Sequence, residues 1–223
     1  MRGNMQIKKT VCLVSGGLDS AVAAAIAKNK GYELYFLFFD YNQKTLKKEE
    51  ECFLNIADYL TVRETKIVKL DWFSEIGGTI LINNELILTP ENRRLEYVPF
   101  RNAIFMSYAV AWCEALDGDA LFFGSTLGAI NCPDNSPPFF ASFQKLIKYG
   151  TKANKLIRVE VPLIKLTKAQ VIKLGLELGV PLELTWSCHN FNDKACGHCS
   201  NCERRIHAFQ ENLLEDKIKY GDL

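Results

Sequence analysis

Two groups of residues in this 223-residue chain have the types and spacing to do chemistry. The first is Ser15-Gly16-Gly17-Leu18-Asp19-Ser20, set between a β-branched-rich run, Lys9 to Val14, and an alanine-rich helical stretch, Leu18 to Lys28. A strand, a glycine turn and a helix start make an anion site, because the glycines let the backbone approach a ligand and the first-turn amides point at it. Ser15 and Ser20 add hydroxyls. Asp19 is out of place in a phosphate nest unless it holds a cation, and magnesium is the one expected. The competing reading is a bare turn with Asp19 favoured by the helix dipole. No Gly-Lys-Ser/Thr follows, so this is not the phosphate loop of kinases and GTPases, and the G-x-G-x-x-G spacing of dinucleotide binders is also missing.

The second group is Cys188, Cys196, Cys199 and Cys202, a C-x7-C-x2-C-x2-C array. Four thiolates suit tetrahedral zinc, and a fully sulfur-filled shell leaves no position for substrate, so the expected role is structural. An iron–sulfur cluster competes, but Glu203 stands where one ferredoxin pattern places proline. His189, His198 and His207 nearby read as surface residues. Cys12, Cys52 and Cys113 read as small core residues, and Cys132 falls in a loop.

The elements that must position these groups alternate. Strands are expected at Lys9 to Val14, Glu33 to Phe39, Thr65 to Leu70, Ala120 to Gly124 and Arg158 to Val161. Helices are expected at Leu18 to Lys28, Gln43 to Leu60, Arg101 to Leu116, Phe139 to Tyr149, Thr167 to Leu178 (Thr167 as cap) and Glu203 to Leu214. Residues 71–99 and 128–138 read as irregular. This order predicts an α/β, doubly wound, mostly parallel five-stranded Rossmann-like sheet with ligands at the strand carboxyl ends. Residues 1–162 are expected to form the nucleotide-binding core, and residues 163–223 a helical segment carrying the zinc site.

Composition narrows the class of function. The net charge is +1, from 27 basic and 26 acidic residues, whereas a domain that grips nucleic-acid backbone usually carries a clear basic excess. A small-molecule enzyme is therefore expected, and a nucleic-acid partner is not. The N-terminus lacks a secretory apolar region and no apolar run is long enough to span a bilayer, so a cytoplasmic protein is expected.

The Ser15 to Ser20 loop resembles the pyrophosphate loop of the N-type ATP pyrophosphatases. Several further segments resemble the 7-cyano-7-deazaguanine synthases of that superfamily. They are Pro162-Leu163-Ile164-Lys165-Leu166-Thr167-Lys168, Leu174-Gly175, Leu178-Gly179-Val180, Thr185-Trp186-Ser187-Cys188 and Ala195-Cys196-Gly197. Val98-Pro99, Arg101-Asn102 and Asp40-Tyr41 with Gln43 match further family segments. The resemblance implies that ATP adenylates 7-carboxy-7-deazaguanine, that free ammonia gives the amide, and that a second adenylation gives the nitrile.

It also implies site roles. Ser15, Gly16, Gly17, Leu18, Asp19, Ser20 and Asp40 would bind ATP, with Asp19, Arg101 and Lys165 in catalysis. Tyr41, Gln43 and Asp134 would meet the substrate, Trp186 would serve packing, and a homodimer is expected. The sequence departs from the family at Tyr41-Asn42-Gln43-Lys44-Thr45, where the family commonly reads Tyr-Gly-Gln-Arg-His. It departs again at Pro133-Asp134-Asn135-Ser136, where the family often reads Pro-Asp-Cys-Arg. These changes leave the acceptor open between the free deazapurine acid and another group, such as a macromolecule-linked deazaguanine or a tRNA base.

Overall fold

In the computed structural model, which describes residues 7–82, 86–89, 91–126, 132–152 and 156–221, five strands form one parallel sheet. They are β1 (Lys9–Leu13), β2 (Glu33–Asp40), β3 (Glu64–Lys69), β4 (Ala120–Phe123) and β5 (Arg158–Glu160), in the order β3-β2-β1-β4-β5. All four pairings are parallel. The alternation expected from the sequence is therefore present.

The chain winds outward from β1 in both directions, so strand order reverses between β1 and β4. Loops leaving those two strands diverge, which opens a crevice at their carboxyl ends. The register aligns those ends, with Leu13 opposite both Leu37 and Phe123.

The helices are α1 (Leu18–Asn29), α2 (Leu46–Tyr59), α3 (Phe73–Ile76), α4 (Arg101–Ala115), α5 (Pro137–Gly150), α6 (Lys168–Glu177) and α7 (Ser200–Glu211). They cover both faces of the sheet. Cys12, Phe36, Phe38 and Phe122 point to the layer holding α1, α2 and α6. Val11, Leu37, Phe39 and Leu121 point to the layer holding α4, α5 and the four-cysteine segment. The near-continuous apolar β2 is the consequence, since both of its faces are covered.

Small residues set the helix spacing near the site. Ala21, Ala23, Ala24, Ala25 and Ala27 of α1 are buried. A Cβ on Gly175 of α6 would come within 2.9 Å of Val22. These contacts let α6 lie close against α1, and the Lys168–Asp19 ion pair joins their first turns. The expected Thr167 cap is present as a full capping box: its hydroxyl accepts from the Gln170 amide, and Gln170 accepts from the Thr167 amide.

Three helix starts differ from expectation by two or more residues, each for a local reason. α2 starts at Leu46 rather than Gln43, because the Gln43 side chain is buried and bonded to Tyr41 and Phe39 in the preceding turn. α5 begins at Pro137, where prolines tolerate the first turn and Ser136 caps it. α7 begins at Ser200, so that Cys202 lies on the helix rather than before it. Within 71–99, the described residues form α3 and two 3₁₀ turns, Ile80–Ile82 and Arg93–Glu96.

Candidate active site

The loop after β1 is shaped by its glycines. Gly16 has φ +74°, and a Cβ there would lie 2.3 Å from the Glu49 carbonyl oxygen, so only glycine fits. Gly124 at the end of β4 is equally constrained, since its Cβ would fall 2.6 Å from the Ser20 amide nitrogen. Ser20 ties the loop to itself: its Oγ donates to the Gly17 carbonyl and accepts from the Ser15 amide.

A cavity of about 280 Å³ lies over this loop, against the ends of β1, β2 and β4. Ser15, Gly17, Leu18, Asp19 and Ser20 line it, together with Tyr41, Gln43, Arg101 and Trp186. A second cavity of about 240 Å³ shares Asp19, Arg101, Cys132, Lys168, His189 and Asn201 with the first, and continues to Arg93, Glu96, Tyr97 and Arg204. Among the described residues, four buried side-chain polar atoms have no hydrogen-bond partner. Three of them, Arg101 Nε, Trp186 Nε1 and Asn135 Oδ1, belong to residues lining these cavities. Buried polar groups are nearly always paired in folded proteins, so such a concentration marks a binding cleft.

Asp19 is held by Lys168, whose Nζ donates to both carboxylate oxygens at 2.6 Å. Lys168 is the first residue of α6, and the α1–α6 packing brings the two helix starts together. Lys165, the cation expected from the sequence, is exposed and lines neither cavity. The turn before α6 carries it outward, and the residue three positions on takes the place beside the loop. A charge on that short segment was legible in the sequence; which lysine turned inward depended on how α6 packs against α1.

Arg101 enters from the first turn of α4 and donates to the Tyr41 hydroxyl at 2.8 Å, with its guanidinium 5.4 Å from the Tyr41 ring centre. Phe100 before it adopts φ +53° while exposed, a strained conformation that sets the direction of α4. Burial pushes the Tyr41 phenol up, with the Arg101 charge pulling against it.

Three expected site residues have other contacts. Asp40 lines neither cavity, and its carboxylate accepts from the Asn42 amide to fix the turn after β2. Asp134 is buried and accepts from the Asn102 amide, holding the start of α4 rather than facing the cleft. Gln43 does line the cleft, but its amide is engaged by Tyr41, Phe39 and Glu49. Trp186 is buried against the loop, with its amide donating to the Gly16 carbonyl.

His189 is not a surface residue. It lines the cleft and pairs with Glu96 at 3.1 Å. Glu96 also accepts from Asn201 Nδ2 at 2.6 Å and Ser200 Oγ at 3.2 Å. Burial alone would raise the Glu96 carboxyl, but His189, Arg204 and Asn201 bring it down to about 2. The sequence carried no signal for this cluster, because its members lie about 100 residues apart.

The four cysteines fit a tetrahedral metal. They are free thiols, all buried, and their sulfurs lie within 4.8 Å of one another. The Cys196 and Cys202 sulfurs are 3.9 Å apart, against about 3.8 Å for the edge of a tetrahedron built on 2.3 Å zinc–sulfur bonds. Backbone amides of Asn190, Cys196 and Cys199 donate to the sulfurs of Cys188 and Cys196, which favours thiolates. Four thiolates this close would repel one another strongly, so a bound cation is what would let all four ionise. The cluster is compatible with zinc.

The segment around the cysteines reaches both cavities. Asn190 pairs with the Leu88 backbone, and Asn192 bonds the Lys44 carbonyl and the Lys48 amide. Arg205 of α7 is 1% exposed and binds Asp216, Thr185, Ser187 and the Leu182 carbonyl, bracing the strand of chain that carries Trp186.

A model of the queuosine biosynthesis protein QueC matches residues 9–213. The chain belongs to the QueC family. Among curated relatives, the 7-cyano-7-deazaguanine synthase of Campylobacter hominis is 42% identical over 95% of this chain and 99% of its own. That of Campylobacter fetus subsp. fetus is 42% identical over 97% of this chain and 99% of its own. Solved structures share the fold at lower identity. A 4-thiouridine synthetase in complex with RNA and ATP has a TM-score of 0.53 at 17% identity, covering 92% of this chain and 51% of the other. The NMN synthetase of Francisella tularensis has a TM-score of 0.50 at 19% identity, covering 96% and 81%. As a QueC-family chain with this cleft, the molecule is an ATP-utilising protein of the pyrophosphate-loop fold, and no described helix is long and apolar enough to cross a membrane.

Proposed function

We propose that the protein is an ATP-dependent ligase that converts 7-carboxy-7-deazaguanine and ammonia to 7-cyano-7-deazaguanine. The observation that carries this reading is the continuous double cavity. A phosphate loop floors one part, a mixed cationic and acidic group lines the other, and Asp19, Lys168 and Arg101 stand where they meet.

A carboxylate has no competent leaving group, so its oxygen attacks the α-phosphorus of ATP and pyrophosphate departs. Ammonia then attacks the carbonyl carbon, AMP leaves, and an amide forms. The amide oxygen takes a second adenylyl group in the same way. Loss of AMP and two protons leaves the nitrile. One site serves both rounds because each activates an oxygen on the same carbon.

In this scheme the Ser15 to Ser20 segment holds the pyrophosphate through its amides and hydroxyls. Asp19 is the carboxylate that would hold the magnesium of the nucleotide. Lys168 and Arg101 neutralise charge that grows on the phosphates as the α–β bond breaks, an effect strengthened where water is excluded. Tyr41 orients Arg101. Zinc at Cys188, Cys196, Cys199 and Cys202 would be structural, fastening residues 163–223 over a nucleotide core formed by residues 1–162. Ammonia enters from solution, the protein works in the cytoplasm, and two copies pair about a two-fold axis.

Incubation with ATP, ammonium and 7-carboxy-7-deazaguanine should yield AMP, pyrophosphate and the nitrile, identified by mass. AMP formed only with a different acceptor, or ADP in place of AMP, would sink the reading.

A further inference from the structure

The nucleotide scheme leaves the far part of the second cavity without a task. Beyond the shared floor it is lined by Arg93, Glu96, Tyr97 and Arg204. Among the described residues lining this cavity, Asp19 and Glu96 alone carry carboxylates, and Asp19 belongs to the shared floor, beside Lys168. Glu96 is therefore the acidic group of the far part. Its side chain is 18% exposed.

The acceptor proposed above is a flat bicycle with its reactive carboxylate at one end. At the opposite edge it carries a ring N–H and an exocyclic amine, which are donors. Adenylation places the carboxylate at the α-phosphate, over the floor of Asp19, Lys168 and Arg101. The donor edge then lies in the far part, where an acceptor is required. A carboxylate offers about four lone-pair positions. Among the described residues, Glu96 Oε1 accepts from Asn201 and His189 and Oε2 accepts from Ser200 alone, which leaves one position.

We infer that Glu96 is a specificity-determining residue that accepts a hydrogen bond from the amine-bearing edge of a guanine-type acceptor. This rests on the reading of the acceptor as a deazaguanine acid. It goes further by assigning the recognition to one carboxylate, held in place by Asn201, Ser200 and His189.

The assignment makes an asymmetric prediction for Glu96→Gln. Asn201 Nδ2 can only donate, so it continues to require an oxygen at the Oε1 position. The Ser200 hydroxyl can reverse and accept, which places the glutamine amide nitrogen at the Oε2 position. A donor then faces the amine of the ring.

The experiment uses the full chain with its zinc, ATP and ammonium, and compares two acids: 7-carboxy-7-deazaguanine and the same acid lacking the 2-amino group. The wild-type KM for the desamino acid should be about 10- to 100-fold higher, the range of one hydrogen bond to a charged group. In Glu96→Gln the KM for the amine-bearing acid should rise by a similar factor, and the ratio between the two acids should fall toward one. ATP affinity and kcat at saturating acid should stay within about twofold of wild type, because Glu96 lies beyond the shared floor of Asp19, Lys168 and Arg101.

Equal wild-type KM values for the two acids would overturn the inference. So would a Glu96→Gln variant that weakens both acids alike, because that is the signature of a residue that merely holds α7. If Glu96→Gln loses zinc or melts early, Glu96→Asp carries the same comparison. It keeps the charge but withdraws it by one methylene, and an unchanged ratio there also overturns the assignment. Absence of AMP from the wild type with the amine-bearing acid would instead remove the functional reading, a different and earlier failure.

Discussion

The two parts of the cleft are made by different means. The floor of the proposed nucleotide part is one stretch of chain, Leu13 to Ser20, in which backbone amides, two glycines and a helix start lie consecutively at the end of β1. The other part is assembled from side chains on the 3₁₀ turn Arg93–Glu96, on the loop carrying His189 and on α7. What brings those pieces together is the four-cysteine knot, whose neighbours Asn190, Ser200 and Asn201 bond Leu88 and Glu96 directly. A phosphate site can be a property of local backbone, whereas recognition of a flat acceptor has to be a property of tertiary structure.

The strongest way to break this contrast is to remove the metal. Structural zinc sites are worth about 10–16 kcal/mol of apparent binding energy in peptides. Chelation, or Cys199→Ser, should therefore lower the melting temperature sharply and abolish acceptor binding. ATP binding should weaken less, because the loop keeps its own hydrogen bonds and loses only the Trp186–Gly16 contact. Calorimetric titration of ATP and of the acid against residual zinc would show it. Parallel loss of both affinities would mean that the knot supports the two parts equally.

The same contrast explains what the sequence revealed. The sheet, its direction and its five strands follow from alternating periodicity, and the loop follows from Gly16 and Gly17 beside Asp19. Four cysteines at short spacing announce their own proximity. Lys168 was hidden for a subtler reason: the Thr167 cap was legible, but that the first turn of α6 meets Asp19 follows only from the packing of α6 on α1. Asp40 and Asp134 were expected as ligands from the family resemblance, yet each accepts from a nearby amide and fixes a turn or a helix start. Glu96 and His189 carried no signal, since nothing in either local segment encodes the other.

At the junction of the two parts, Lys168→Ala should lower kcat by about 10²–10³-fold, the usual effect of deleting one donor to developing charge. ATP affinity should change little if the lysine acts mainly in the transition state. Lys165→Ala should leave both unaffected, as its side chain is exposed outside the cleft. A larger effect at Lys165 than at Lys168 would refute the assignment.

Within the nucleotide part, Gly16→Ala asks whether the loop is a backbone device. Holding a non-glycine residue at φ +74° costs about 1–3 kcal/mol, and the new Cβ also meets the Glu49 carbonyl. Stability in urea should fall by at least that amount. ATP binding should weaken, while the ratio of KM values for competing acids should hold.

The smallest expected effect tests how position is transmitted from capping to chemistry. Thr167→Ala removes one side of the capping box and should cost about 1 kcal/mol of stability, within the usual range for such caps. Lys168 is the next residue, and the distance from its Nζ to Asp19 depends on the first turn of α6 staying wound. Fraying there would let the lysine leave the cleft for part of the time, so kcat should fall severalfold. Gln170→Ala breaks the other half of the box while leaving the Thr167 hydroxyl on its amide, and should reduce kcat less. If both variants lose stability but keep full kcat, Lys168 is positioned by its ion pair with Asp19 rather than by the helix start, and the cap serves folding alone.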